Sequence, residues 1–281
     1  MEIRKHEAEK QETEKQEIEK HSENIKKRCE KKVPEKTDIL EANSETPFCR
    51  EERLIGEDAF SRLSQAHVAV FGLGGVGSYV TEALARAGIG RLSLIDSDCV
   101  SVSNLNRQLY ALRSTIGQKK TKAAAARCLD INPQLYGRLH LYEEFVLPEN
   151  AEALLDRIEQ PQNLNYAIDA VDTVSAKIAL AVLCERRGIP LISCCGTGNK
   201  LDPSRFQISD LWKTSVCPLC KVLRRELKAR GVKHLSVCWS DELPVKTGSR
   251  TPASISFVPG AAGLMIAGKV VRDLTGLRPS F

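Results

Sequence analysis

The chain has 281 residues, 42% of them hydrophobic and 27% charged, with a formal net charge of +5. That is the composition of an ordinary globular protein, long enough for one large domain or two small ones. The mild positive charge permits a polyanionic partner without requiring one. No run approaches the roughly 20 apolar residues of a membrane span; the nearest, from Ile255 to Val271, is broken by Pro259, Gly260, Gly263 and Gly268.

Residues 1–47 are almost all Glu, Lys, Gln, Asn, Ser and Thr. With so few apolar side chains, nothing offsets the entropy of ordering them, so a charged, disordered tail is expected. Its mixed charge signs argue against a nucleic-acid-binding arm. From about Phe48 the pattern changes. Ala66–Phe71 reads as a buried parallel strand, and a glycine-rich turn leads into a helix over Ser78–Ala87 that stops at Gly88. Strands are expected at Arg91–Asp96, Leu139–Tyr142, Tyr166–Ala170 and Pro190–Cys194, and helices at Thr121–Leu129, Ala151–Ile158 and Ser175–Arg187. This alternation predicts an α/β fold: a Rossmann-like, doubly wound, mainly parallel sheet with helices on both faces, spanning residues 48–281. Residues 211–250 are less regular and basic, with a helix over Leu219–Ala229 and a strand near Leu235–Trp239; a last helix covers about Gly260–Leu274.

The chain has ten cysteines. It opens without an apolar secretory segment, and Cys184, Cys194 and Cys195 lie in apolar runs, so reduced thiols and a cytoplasmic location are expected. Cys217 and Cys220 form a single CxxC. A helix N-terminus can lower a thiol pKa, but two surplus thiols at a helix start are the simpler reading.

The sequence Gly72-Leu-Gly74-Gly75-Val-Gly77 fits G-x-G-x-x-G directly after a strand and opens a helix, and Asp96 ends the next strand about twenty residues on. Backbone amides at a helix N-terminus suit phosphate, and the acid suits a ribose. Arg107 and Lys120 follow, cations that a dehydrogenase has no need of there but that attack on a phosphate of ATP does require. Asp172 falls just after a strand end on the same sheet edge, where a carboxylate can hold magnesium.

Taken together, Gly72-x-Gly74-Gly75-x-Gly77-Ser78, Asp96-x-Asp98, Asn104-x-Asn106-Arg107-Gln108, Gly117-x-x-Lys120 and Asp169-x-x-Asp172 resemble the ThiF/MoeB/HesA superfamily of adenylating enzymes, related to the ubiquitin-activating enzymes. The resemblance implies ATP and Mg2+ as cofactors. It places Asp96 on the ribose with Asp98 beside it, puts Asn104, Arg107 and Lys120 on the phosphates, and gives Asp172 the metal. It further implies a homodimer in which Arg50 is lent across the interface.

Within that superfamily, Gly196-Thr-Gly-Asn-Lys200, Asp202-Pro203, Lys213-Thr-x-x-Cys217-Pro-Leu219 and Phe257-Val-Pro259 look like the tRNA threonylcarbamoyladenosine dehydratases. This likeness implies a tRNA substrate, with Lys200, Lys221, Arg224 and Arg225 as candidate RNA contacts, and leaves room for a cysteine desulfurase or sulfur-acceptor partner. The alternative is an enzyme that activates the C-terminal carboxylate of a small ubiquitin-like sulfur carrier. Such enzymes usually hold structural zinc with two CxxC pairs, and no second pair follows here.

Overall fold

In a computed structural model the described residues are 46–160, 162–249 and 251–278. The expected tail lies outside them apart from its last two residues. In chain order the elements are α1 (Cys49–Ile55), α2 (Glu57–Gln65), β1 (His67–Phe71), α3 (Gly77–Arg86), β2 (Arg91–Ile95), α4 (Lys120–Ile131), β3 (Leu139–Tyr142) and α5 (Ala151–Glu159). They continue as β4 (Tyr166–Asp169), α6 (Val174–Arg187), β5 (Leu191–Cys194), β6 (Phe206–Asp210), α7 (Pro218–Ala229), β7 (Ser236–Ser240) and α8 (Phe257–Thr275).

The strands form one seven-stranded sheet in the order β3-β2-β1-β4-β5-β7-β6. Every neighbouring pair is parallel except β6, which runs antiparallel along β7 at one edge. The chain winds outward from β1 through β2 to β3, then crosses back to β4 on the other side of β1. The expected doubly wound α/β fold is therefore the observed one.

Strand alternation builds the two faces. Val68 and Val70 point into a cluster with Val80 and Leu84 of α3, Ala124 and Cys128 of α4, and Val258 and Ile266 of α8. Ala69 and Phe71 point the other way, towards Leu154 and Leu155 of α5, Leu180 of α6, and Leu223 and Leu227 of α7. Phe71 has no exposed surface, and burying a side chain of that size stabilises by about 1.5–3 kcal/mol. A Cβ on Gly263 would lie 2.6 Å from the Val76 carbonyl oxygen, so α8 lies against the start of α3 at a separation only glycine permits. No described helix is long and apolar enough to cross a membrane.

At the other end of β1, His67 is buried. Its Nδ1 lies 3.2 Å from the Gln162 carbonyl oxygen and its Nε2 lies 2.9 Å from Ser93 Oγ. A carbonyl only accepts, so Nδ1 carries the proton and Nε2 accepts from the serine hydroxyl. Burial, helped by the Arg91 charge, lowers the pKa to about 4. The unfolded chain protonates near pH 6.5, so it binds more protons than the native state between pH 6.5 and 4. Stability is full above that window and falls as pH drops through it, by about 3 kcal/mol for this one group. Urea midpoints measured at pH 7 and pH 4.5 should show the fall, and His67→Gln should flatten it.

Candidate active site

The carboxyl ends of the parallel strands are in register, with Phe71 opposite both Ile95 of β2 and Asp169 of β4. The residues that follow those ends gather around a cavity of about 500 Å³, within the usual size of small-molecule sites and at the point where strand order reverses.

Gly72 leaves β1 at φ 89°, and a Cβ there would sit 2.7 Å from the Ala170 carbonyl oxygen. Glycine is needed for both reasons. Gly74 and Gly75 line the cavity. Beside Gly74 the space is open: a Cβ would meet only Gln108 Nε2, at 3.8 Å, so this is a cradle that any side chain would fill. Gly77, expected to touch the ligand, does not line the cavity. A Cβ on it would fall 1.7 Å from the Gly72 carbonyl oxygen, so its work is to let α3 fold tightly back onto the loop.

Asp96 stands just beyond β2. Its carboxylate accepts from the Leu73 amide at 2.7 Å and the Asp98 amide at 2.9 Å, which fixes it towards the glycine loop. Lys120, at the first turn of α4, is only 6% exposed. Its Nζ lies 2.7 Å from Asp98 Oδ2 and 3.7 Å from Asp96 Oδ2. Asn104 closes a 3-10 turn, its Oδ1 accepting from the Ser101 amide at 3.0 Å. The turn carries Arg107 to the cavity wall, where Nη1 donates to the Ser103 carbonyl at 2.7 Å and to Asn106 Oδ1 at 3.0 Å. Asp172 is exposed and lines the same cavity. Gly72, Gly74, Gly75, Asp96, Asp98, Asn104, Arg107, Lys120 and Asp172 are thus brought together around one space. Arg50, on α1, is exposed and is not among the residues lining this chain's cavity.

A buried ion pair escaped sequence reasoning. Lys177 of α6 lines the cavity at 2% exposure, and its Nζ contacts both Asp169 oxygens at 3.1 Å and the Cys194 carbonyl at 2.8 Å. Ser193 Oγ donates to Asp169 Oδ2 at 2.5 Å. Burial draws the Lys177 pKa down, but the Asp169 charge outweighs it and the pKa is raised. The signal was available: Lys177 shares the face of Leu180, Ala181 and Cys184, a charge on an apolar helical stripe.

One expected RNA contact, Lys200, needs correction, and a second, Arg224, has an internal partner. Lys200 is 5% exposed, and its ammonium donates to the Glu242 carbonyl. It closes a turn and is withdrawn from any polyanion. Arg224 is half-buried and spends Nη1 on the Thr214 carbonyl and hydroxyl. Lys221 and Arg225 are exposed on α7, Arg225 beside Glu226.

Cys217 caps α7 at 4% exposure, and Cys220 is fully buried. Hydrogen bonding to the Cys195 thiol, with burial, pushes Cys220 up to about 12, and the bond to Cys220 and burial raise Cys217 as well. Thiol–thiol hydrogen bonding, with burial added, keeps both thiols protonated. Among the described residues, no three His, Cys, Asp or Glu side chains gather as a metal site.

A doubly wound sheet with a glycine loop, an acid after β2 and cations facing them at the switch point defines a nucleotide-binding α/β enzyme. The chain matches the ThiF family over residues 48–281 and belongs to it. The tRNA threonylcarbamoyladenosine dehydratase of Bacillus subtilis is 42% identical over 245 residues, covering 81% of this chain and 94% of the relative. The Escherichia coli protein of the same name is 43% identical over 177 residues, 63% of each chain. Among solved structures, Escherichia coli TcdA in complex with ATP has a TM-score of 0.75 at 35% identity, covering 82% of this chain and 94% of that one.

Proposed function

We propose that this protein uses ATP to dehydrate threonylcarbamoyladenosine in tRNA, closing the modified side chain into a ring. The observation that carries the reading is the cavity at the β1–β4 switch point, which gathers an open glycine cradle at Gly74, the oriented Asp96 carboxylate, and the cations Arg107 and Lys120. It is supported by 42% identity to a dehydratase along 94% of that relative's length.

The chemistry asked of the site is simple. A carboxylate oxygen is a poor leaving group, so it must first attack a phosphorus of ATP, becoming joined either to AMP with pyrophosphate leaving or to phosphate with ADP leaving. A nitrogen of the same nucleoside side chain then attacks the carbonyl carbon, and the activated oxygen leaves on its phosphate. The net change to the nucleoside is loss of one water. Because nucleophile and electrophile share one side chain, proximity replaces an enzyme nucleophile in the second step. This fits protonated, buried Cys217 and Cys220.

In this reading Asp96 holds the ribose hydroxyls. Gly74 and Gly75 let the backbone approach the phosphates, while Asn104, Arg107 and Lys120 face their charge. Lys120, paired with Asp98 at 2.7 Å, is pre-aimed and exchanges that partner for a phosphate oxygen. Magnesium is usually held by one or two carboxylates together with phosphates and waters, so the single Asp172 suffices on the protein side. When bound, the ion neutralises phosphate charge. Lys221 and Arg225 offer RNA backbone contacts on α7, and Arg50 completes the site of a partner protomer in a homodimer.

Mass spectrometry of nucleosides tests the activity directly, after incubation of the protein with threonylcarbamoyl-modified tRNA, ATP and magnesium. A product one water lighter that appears only with ATP is the expected result. An unchanged nucleoside, from protein that binds ATP, would redirect the search to sulfur-carrier proteins.

A further inference from the structure

Sheet order divides the cavity between two reactants. Asp96 follows β2 and Phe145 lies beyond β3, while Gly196, Thr197 and Gly198 follow β5 on the opposite side of the switch point. The nucleotide takes the first end, so the second end remains for the acid to be activated. Its far wall is Thr251 and Pro252, from the long connection between β7 and α8. These five residues include no carboxylate to repel an incoming anion.

Asn199 joins the two walls. It adopts φ 58°, a conformation that a non-glycine residue rarely takes and that Asn tolerates best. Its Oδ1 accepts from the Ala253 amide at 2.7 Å, and its own amide donates to the Ala253 carbonyl at 2.8 Å. Its carbonyl accepts from the Val245 amide at 2.8 Å. Next to it, a Cβ on Gly198 would press within 2.7 Å of Pro252 Cβ. A second asparagine approaches the same segment from the phosphate side: Asn106 Nδ2 donates to the Ser254 carbonyl at 3.0 Å. Asn199 does not itself line the cavity but sits directly behind two of its walls, and residues held by several bonds in a rare backbone conformation cluster at functional sites.

We propose that Asn199 is a positioning residue for the second substrate: by fastening residues 251–254 against the Gly196–Gly198 turn, it shapes the end of the cavity that receives the carboxylate-bearing side chain of the tRNA nucleoside. The assignment rests on the dehydratase reading and adds to it a residue whose effect falls on tRNA and not on ATP.

Asn199→Gly is the informative variant, because glycine keeps the left-handed backbone at no steric cost and deletes the side chain that accepts from the Ala253 amide. In steady-state assays with modified tRNA, kcat/KM for tRNA should fall about tenfold, carried by KM, with kcat and the Kd for ATP within about twofold of wild type. Hydrogen exchange at the Ala253 amide should quicken in the same variant. A tRNA kcat/KM at the wild-type value would overturn the assignment, as would a loss of ATP affinity by the same factor as tRNA. A wild-type protein that binds ATP yet leaves the tRNA unchanged would overturn the dehydratase reading itself, before any variant is compared.

Discussion

Replacing Arg107 with Ala is expected to leave the protein folded and to slow tRNA dehydration by about 10²–10³-fold, the usual cost of removing one donor aimed at developing transition-state charge. Folding is spared because the side chain is half-exposed and bonds only to its own turn, at the Ser103 carbonyl and Asn106 Oδ1. Both acceptors stay hydrated without it. Single-turnover rates at saturating ATP, set beside a thermal melt, check the two halves together. Lys at the same position keeps the charge but loses the planar fork, so it should recover only part of the rate. Lys120→Ala should cost a similar factor. Full activity in Arg107→Ala would remove that residue from the chemistry.

The second large effect is on stability. Lys177→Met is expected to destabilise the protein by about 3–5 kcal/mol, because it leaves the Asp169 carboxylate buried without its countercharge. Asp169 has no exposed surface, and its remaining partners are the Ser193 hydroxyl and the Val171 amide. Urea unfolding reads the loss. Adding Asp169→Asn to Lys177→Met should return a good part of it, since a neutral pair has no stranded charge. A double variant no more stable than Lys177→Met would mean that packing, and not charge, sets the cost. The pair also anchors the turn that carries Asp172, because Lys177 ties the end of β4 to the Cys194 carbonyl at the end of β5.

The parts of this molecule that were legible in sequence are those with a strong local rule. β1 is apolar from Val68 to Phe71, the glycine loop follows it at once, and Asp96 comes directly after β2, so strand, turn and acid could be placed without coordinates. β6 was not foreseen. Its Phe206-Gln-Ile-Ser alternation is only four residues long within a five-residue strand, and pairing with β7 on the far side of α7, not propensity, makes it a strand. The first two helices were hidden by charge: between Cys49 and Gln65 the side chains with least exposure are Ala59 and Leu63. Lys200 failed for the converse reason. A lysine in a polar stretch reads as solvated, and only the Glu242 turn folding over it reveals that its ammonium is enclosed. Gly77 fits the nucleotide-binding pattern in sequence, yet in three dimensions its missing side chain serves packing against Gly72.

The distribution of thiols makes the protein well suited to optical work. Of the nine cysteines described, Cys99 alone is exposed and Cys49 is half-buried, while the other seven lie in the interior. Burial pushes Cys128 and Cys184 up to about 12, so at neutral pH they hold no thiolate for an alkylating dye. With Cys29 replaced, a maleimide fluorophore would settle chiefly on Cys99, the residue directly after the carboxylate that pairs with Lys120. Emission from that position would follow nucleotide arrival and release in real time, without a modified substrate.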